Sequence, residues 1–435
     1  MLKRVLIVGS GGREHALAWA CARNRDDVEL IVAPGNGGTA RIAENVELSA
    51  TDGAGIARLA REREVNLVII GPDAAAAAGV TDTCVAAGVT VFGPTAAAAR
   101  IESSKSFAKA LMDECGIPTA PWVSGGSEDR VALERFVADV GGACVVKADG
   151  LALGKGVVVC ASEKEARTAM DACLLDARFG AAGRRVVVEE RLQGLEVSVL
   201  GLSDGRSVRV LPPARDYKRA FDGDRGPNTG GMGAVAPPPD IDDTFVEHVA
   251  RTVLQPCVDA LRARGTTFVG CLYAGVILTP EGLRVLEFNA RFGDPEAQVM
   301  LPLLAEPALD LFEAAARGEL EAGTVAAQER CAVGVVAAAA GYPGDARTGD
   351  PISGLEQLDN DVLCFHAGTR LDAGGEFHTA GGRVLCVVAL GQGMDDARRC
   401  AYENISRVHF ADMHVRSDIG AASAPSRSDP LGVTA

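Results

Sequence analysis

Residues 145–159 read VVKADGLALGKGVVV. Two apolar runs flank a glycine-rich turn, with Lys147 on the first run and Lys155 inside the turn. The order is not the G-x-x-x-x-G-K-[ST] of a Walker A loop, and no helical pattern follows it. The pattern predicts a strand, a swinging loop and a second, antiparallel strand. Gly154 and Gly156 flank Lys155 and free that loop to fold over a triphosphate, while Lys147 offsets phosphate charge from the strand.

Residues 186–200, VVVEERLQGLEVSVL, extend the reading. One strand delivers Glu189, a linker follows, and Glu196 opens the next strand. Backbone groups near Leu192 suit a purine edge, and Glu196 suits ribose hydroxyls. A solvated acidic edge is the plain alternative. Residues 286–296, LEFNARFGDPE, carry the densest charge. Positions i and i+2 of a strand share a face, so Glu287 and Asn289 point at one spot. A carboxylate and an amide carbonyl are the hard oxygen ligands that Mg²⁺ (or Mn²⁺) prefers, with ATP phosphates completing the shell. Arg291, just beyond, offers a fork to a phosphate or a carboxylate. A salt-bridged strand end is the plain alternative, although burying such charge without a ligand is costly.

The first residues, MLKRVLIVGSGGREHA, run from an apolar strand into glycines. They read as a buried first strand rather than a secretory signal. Gly9 and Gly11 fit a dinucleotide fingerprint, but Glu14 stands at the third glycine and the second strand ends in Ala33-Pro34-Gly35-Asn36. A small phosphorylated ligand at the amides of Gly9, Gly11, Gly12 and Arg13 fits better than a nicotinamide. A tight strand-to-helix turn remains the alternative. His15 is expected on the helix surface.

The chain has 435 residues, 48% hydrophobic and only 4% aromatic, with a formal net charge of −15. That size calls for several domains, and the charge disfavours a nucleic-acid binder. No apolar run is long enough to span a membrane. The closest two of the 12 cysteines are Cys160 and Cys173, so no CxxC metal or redox pair exists. The cysteines are expected to be reduced core residues of a cytoplasmic protein.

Strands at 3–9, 27–36, 66–73 and 88–94 alternate with helical stretches, predicting a doubly wound parallel sheet. The α/β reading has an N-terminal Rossmann-like domain (1–102) and a nucleotide-binding domain (103–325) with a small lid subdomain (about 119–190). A β-rich C-terminal domain (326–420) and a disordered tail (421–435) complete it. Residues 212–238 are expected to form one long polar loop, and 269–289 a hairpin turning at Pro280-Glu281-Gly282.

Lys105, Lys147, the glycine-rich turn, Glu189 to Glu196 and Glu287-x-Asn289, in that order, resemble the ATP-grasp ligases. GSGGREHALAW, FGPTAAAARIESSKSFAK, GPNTGGMGA, RFGDPE and AGGRVLCVVALG are similar to signatures of one group among them, the phosphoribosylamine–glycine ligase family of purine biosynthesis. The resemblance implies ATP-dependent joining of glycine to 5-phosphoribosylamine through a glycyl phosphate. It implies catalytic roles for Arg291, Asp294 and Lys218, and nucleotide binding by Lys105, Lys147, Gly154, Lys155, Gly156, Glu189, Glu190, Leu192 and Glu196. It implies substrate contacts from Gly9, Gly11, Gly12, Arg13, Asp216, Asn228, Thr229, Gly230, Gly231, Met232 and Arg291. Glu287 and Asn289 are the implied metal ligands, and a monomer is expected. The chain departs from that family's pattern at Asp73, in the short segment before Lys218, and at Tyr217. The strand CLYAGVIL also lacks an acid that many ATP-grasp enzymes carry. A carboxylase of the same fold, and a nucleotide-binding regulator without activity, are the competing readings. Lys147, Glu287 and Asn289 are all present, which disfavours the regulator.

Overall fold

The computed structural model describes residues 2–152, 156–176 and 178–421. Gly154 and Lys155 of the glycine-rich turn, and the tail from residue 422 on, lie outside the described residues.

The N-terminal sheet is parallel throughout. Its strands run in the order Glu44–Asn45, Val28–Pro34, Lys3–Gly9, Leu67–Ile70, Val91–Phe92. The first strand shows why it is central. Leu6 and Val8 enter one apolar core, while Val5 and Ile7 enter another on the opposite face. Strand alternation with both faces apolar is what helices on both sides require.

The central region holds two sheets. A small antiparallel sheet runs Trp122–Gly125, Val186–Glu190, Cys144–Ala148, Val157–Cys160, covered by the helices Arg130–Asp139 and Glu163–Leu174. A larger sheet contains the hairpin of Val269–Thr279 and Gly282–Asn289, which turns where the sequence places it. Leu195–Asp204 pairs along the other edge of Val269–Thr279. The helix Lys105–Cys115 is capped by Ser104, whose hydroxyl accepts from the Phe107 amide, and ends at Gly116 with a φ of +66°.

The expected loop over 212–238 is instead four short strands: Arg215–Asp216, Arg219–Phe221, Arg225–Asn228 and Gly233–Ala236. Its glycines and prolines mask strand character. What stabilises it is remote. Gly233–Ala236 pairs with Cys331–Ala338, in a sheet ordered Arg215–Asp216, Gly233–Ala236, Cys331–Ala338, Arg383–Gly391, Leu363–His366. The β-rich C-terminal sheet therefore recruits two strands from the middle of the chain. Helix Met394–Ile405 packs against it through Ala397, Ala401 and Ile405.

Candidate active site

A cleft of about 150 Å³ opens between the small sheet, the hairpin and the helix Lys105–Cys115. Lys105, Lys109, Lys147, Gly156, Glu287, Asn289 and Arg291 line it, with Glu102 and Asp73. Glu287 and Asn289 share one face of their strand, as the two-residue period requires. Burial alone would raise the pKa of Glu287. Lys147, Lys218, Lys105 and Arg291 outweigh it and hold the carboxyl below its ordinary value. The carboxylate is therefore charged and ringed by cations, as a site for a metal and a polyphosphate requires.

Lys147 stands on Cys144–Ala148 and donates to the Leu286 carbonyl at 3.1 Å. It is also ion-paired with Glu189. The other Glu189 oxygen lies 2.5 Å from Lys109 Nζ, and all three side chains are buried. Lys109 in turn donates to Thr119 Oγ1 at 2.6 Å. Burial works against the charge of Glu189, but the two ammonium groups win and lower its pKa. Glu189 thus does not face adenine with a free carboxylate; it fixes Lys147. Glu196 is exposed and accepts from Lys218 Nζ at 3.2 Å. Glu190 is exposed and Leu192 half-buried at the same edge. Lys105 donates to the Gly150 carbonyl at 3.2 Å, and burial lowers its pKa against the pull of Glu287.

Arg291 is more constrained than a free fork. Its Nη2 donates to Glu102 Oε1 at 2.8 Å and to Asn289 Oδ1 at 3.1 Å, and its Nη1 to the Phe292 carbonyl at 3.2 Å. Its buried Nε has no protein partner among the described residues.

The expected substrate residues gather beside this cleft. Thr229 donates through both its amide and its hydroxyl to the Lys218 carbonyl, each at 2.8 Å. That lays Asn228–Met232 across Asp216–Lys218. Gly231 has a φ of +115°, and a Cβ there would stand 2.4 Å from Pro295 Cδ and 2.5 Å from Asp216 Oδ1. Only glycine fits. Burial raises the pKa of Asp216 well above its ordinary value, with Glu296 adding to the rise. Glu296 accepts from Tyr273 Oη at 2.7 Å and Ser198 Oγ at 3.2 Å. Burial opposes the charge of Lys218, yet Tyr273, Glu196, Asp216 and Glu296 together raise its pKa.

The N-terminal loop meets the RFGDPE stretch. Arg13 Nε donates to Glu14 Oε1 at 2.6 Å and Arg13 Nη1 to the Phe292 carbonyl at 3.2 Å. Glu14 Oε2 accepts the Gly11 amide at 2.5 Å, so that amide is already engaged. A Cβ on Gly9 would strike Glu14, and one on Gly12 would stand 2.6 Å from Gln298 Nε2. Gln298 donates to Asp294 Oδ1 at 2.7 Å, and Arg383 Nη2 lies 3.3 Å from Asp294 Oδ2. Asp294 is held below its ordinary pKa: burial opposes, but Arg383 and Arg13 prevail. His15 is not on the surface. It is buried, and its Nδ1 accepts the His366 amide at 2.9 Å.

Three domain models of phosphoribosylglycinamide synthetase match the chain in succession. They are its N domain over residues 3–102, its ATP-grasp (A) domain over 103–297 and its C domain over 332–422. Over 420 residues the chain is 46% identical to the phosphoribosylamine–glycine ligase of Xylella fastidiosa (strain 9a5c), covering 96% of each. This chain belongs to the phosphoribosylglycinamide synthetase family. It is also 46% identical over 426 residues to the phosphoribosylamine–glycine ligase of Streptomyces coelicolor, covering 97% of this chain and 99% of that one. The crystal structure of the Thermotoga maritima phosphoribosylamine–glycine ligase matches with a TM-score of 0.83 at 33% identity, over 96% of this chain and 100% of that one. A biotin carboxylase domain of the Hydrogenobacter thermophilus 2-oxoglutarate carboxylase matches with a TM-score of 0.74 at 17% identity, over 95% and 92%, which shows a shared fold.

Four residues of this synthetase-family site escaped the sequence reading. Lys109 follows Lys105 by one helical turn, a spacing that places both on one face. Glu102 lies inside the quoted RIESSK segment and Arg383 inside AGGRV, but nothing local says which side chains they meet. Glu296 ends RFGDPE and reads as an ordinary helix-start acid.

Proposed function

We propose that this chain joins glycine to 5-phosphoribosylamine, giving glycinamide ribonucleotide, ADP and phosphate through a glycyl phosphate in purine biosynthesis. The observation that carries this is the cleft in which Lys105, Lys147 and Arg291 surround the shared face of Glu287 and Asn289. ATP occupies that cleft, its phosphates between Lys105 and Lys147 and its base near Glu190 and Leu192. Glu196 faces the ribose. Glu287 and Asn289 would hold Mg²⁺, or Mn²⁺ in its place, and the ion would neutralise phosphate charge there.

A glycine carboxylate oxygen attacks the γ-phosphorus, and ADP leaves. The 5-phosphoribosylamine nitrogen then attacks the acyl carbon, forming the amide and releasing phosphate. Such chemistry asks for charge clamps and positioning rather than a protein nucleophile. Arg291, steered by Glu102, holds the glycine carboxylate beside the γ-phosphate. Lys218, Asp216 and residues 228–232 line the reacting centre. The loop of Gly9, Gly11, Gly12 and Arg13, with Asp294 behind it, takes the phosphoribosyl end. The chain works as a monomer, and in the cytoplasm, the latter supported by its 12 free cysteines.

The test is ADP release from ATP, Mg²⁺, glycine and freshly made phosphoribosylamine. Release that requires both glycine and the amine supports the reading. Release driven by bicarbonate and independent of glycine would overturn it in favour of a carboxylase.

A further inference from the structure

Cys144 and Cys160 stand directly opposite each other on the antiparallel strands Cys144–Ala148 and Val157–Cys160. Opposed positions in such a pair hold their Cα atoms about 4.5–5.5 Å apart. A disulfide spans about 4.4–6.8 Å between Cα atoms, so the register brings the two cysteines within its reach. Both side chains point to the same face, into the small core that also holds Leu133, Val146 and Met170. Cys160 Sγ donates to the Val158 carbonyl at 3.6 Å. The nearness of the two thiols raises the pKa of Cys144 and lowers that of Cys160, the latter against burial, which raises both. The register elsewhere lacks this match: Cys386 faces Phe365, and Cys364 faces Val387.

Access comes through the edge. Among the described residues, Val157–Cys160 is the outermost strand of its sheet, paired only with Cys144–Ala148. Val158 and Val159 are 39% and 38% exposed. Edge strands open locally at lower cost than central ones, which brings Cys160 to solvent.

We propose that Cys144 and Cys160 form a redox-modifiable dithiol, closed to a disulfide by exchange with a small-molecule disulfide, and that closure weakens ATP use. The first step breaks the S–S bond of the small disulfide. The Cys160 thiolate bonds to one sulfur, and the other leaves as a thiolate, which takes up a proton. The Cys144 thiolate then attacks Cys160 Sγ, displacing the second small thiolate, which is protonated by the proton Cys144 gave up. Two protein thiols are oxidised and one small disulfide is reduced to two thiols. The link to ATP rests on the nucleotide reading of the cleft. Lys147 sits on the first of these strands, and Gly156 and Val157 line the cleft at the start of the second. A covalent tie at the far ends of both strands fixes their mutual twist, so Lys147 and Val157 can no longer adjust to the bound phosphates.

The experiment treats the full-length protein with glutathione disulfide under native conditions, then maps peptides by mass and measures ATP kinetics. The expected result is a chain lighter by two hydrogens, without bound glutathione, cross-linked between Cys144 and Cys160. Its KM for ATP is raised several-fold and restored by dithiothreitol. Cys160→Ser and Cys160→Ala retain the reduced activity and lose the response. Absence of this cross-link under conditions that oxidise any other cysteine of the chain would overturn the proposal. So would a cross-linked chain with an unchanged KM for ATP. Mapping needs no turnover, and a wrong nucleotide reading reveals itself separately, as reduced protein with no glycine-dependent ADP release.

Discussion

Half-buried Arg291 pairs with buried Glu102: Arg291 Nη2 donates to Glu102 Oε1 at 2.8 Å, and the Ala290 amide donates to Glu102 Oε2 at the same distance. One carboxylate from the end of the N-terminal domain therefore fixes both the backbone and the side chain that follow the Glu287–Asn289 face. The pair ties the first domain to the nucleotide cleft. It also leaves the Arg291 Nε without a partner among the described residues. Supporting partners of this kind set the aim of the groups that touch ligand.

Replacing Glu102 tests that aim. Glu102→Gln retains an oxygen for one of the two donors but removes the charge. It should lower kcat/KM for glycine roughly 10–100-fold, the usual range for losing a supporting partner. ATP affinity should change less. Steady-state kinetics with each substrate varied in turn checks this; an equal loss on ATP and glycine would place Glu102 in general folding rather than in steering Arg291.

The metal assignment makes a sharper demand. Glu287→Gln and Asn289→Ala should each abolish turnover at modest Mg²⁺ while leaving the melting temperature of the free protein near that of the wild type. Equilibrium dialysis should show ATP binding without metal little changed and the metal-dependent gain lost. Near-normal rates in both variants would remove Glu287 and Asn289 from metal ligation.

What the sequence revealed follows a physical line. The paired face of Glu287 and Asn289, the strand carrying Lys147 and the hairpin turn at Gly282 were legible because strand periodicity and turn chemistry are local. The parallel N-terminal sheet was legible for the same reason: Val5 to Val8 are apolar on both faces. What failed depended on distant partners. Glu189 reads as one nucleotide-side acid among several, and nothing local says that Lys109 and Lys147 meet its two oxygens. Residues 233–236 read as loop until Cys331–Ala338 supplies their hydrogen bonds. His15 reads as surface until Phe365 and His366 cover it, with the Phe365 ring 5.6 Å away, edge on.

That buried His15–His366 contact predicts an acid-sensitive join between the first helix and the C-terminal sheet. Burial pushes His15 down to about 4, and burial with the charge of His15 pushes His366 down to about 3. Both bind fewer protons folded than unfolded between those values and about 6.5, so the unfolded state gains as pH falls. Their stabilisation is present above about pH 6.5 and is lost as pH drops toward 4. For His15 alone the loss is on the order of 3 kcal/mol, at about 1.4 kcal/mol per unit. Denaturant midpoints at pH 7 and pH 4.5 should differ strongly in the wild type and less in His15→Gln. An unchanged pH slope in the variant would show that His15 contributes nothing to acid unfolding.

The last prediction separates the two substrates. Arg291→Lys keeps a charge but cannot reproduce the planar guanidinium that holds Glu102, Asn289 and a ligand at once. It should chiefly raise KM for glycine. Gly11 lies on the other wall. A Cβ there would stand 2.8 Å from Glu14 Oε2 and 3.1 Å from Asp294 Oδ2, pushing apart the N-terminal loop and the RFGDPE stretch. Gly11→Val adds two methyl groups to that clash. It should chiefly raise KM for phosphoribosylamine, by tenfold or more if about 1.4 kcal/mol of its binding is lost. The Gly11 amide is already engaged by Glu14, so the loss must come from displaced walls rather than from one missing donor. Gly11→Ala, with the smaller clash, should fall between. If Gly11→Val instead spared phosphoribosylamine and damaged ATP kinetics, the phosphoribosyl end would have to be moved out of the first domain, and the nucleotide would have to reach the loop that Gly9 and Gly11 shape.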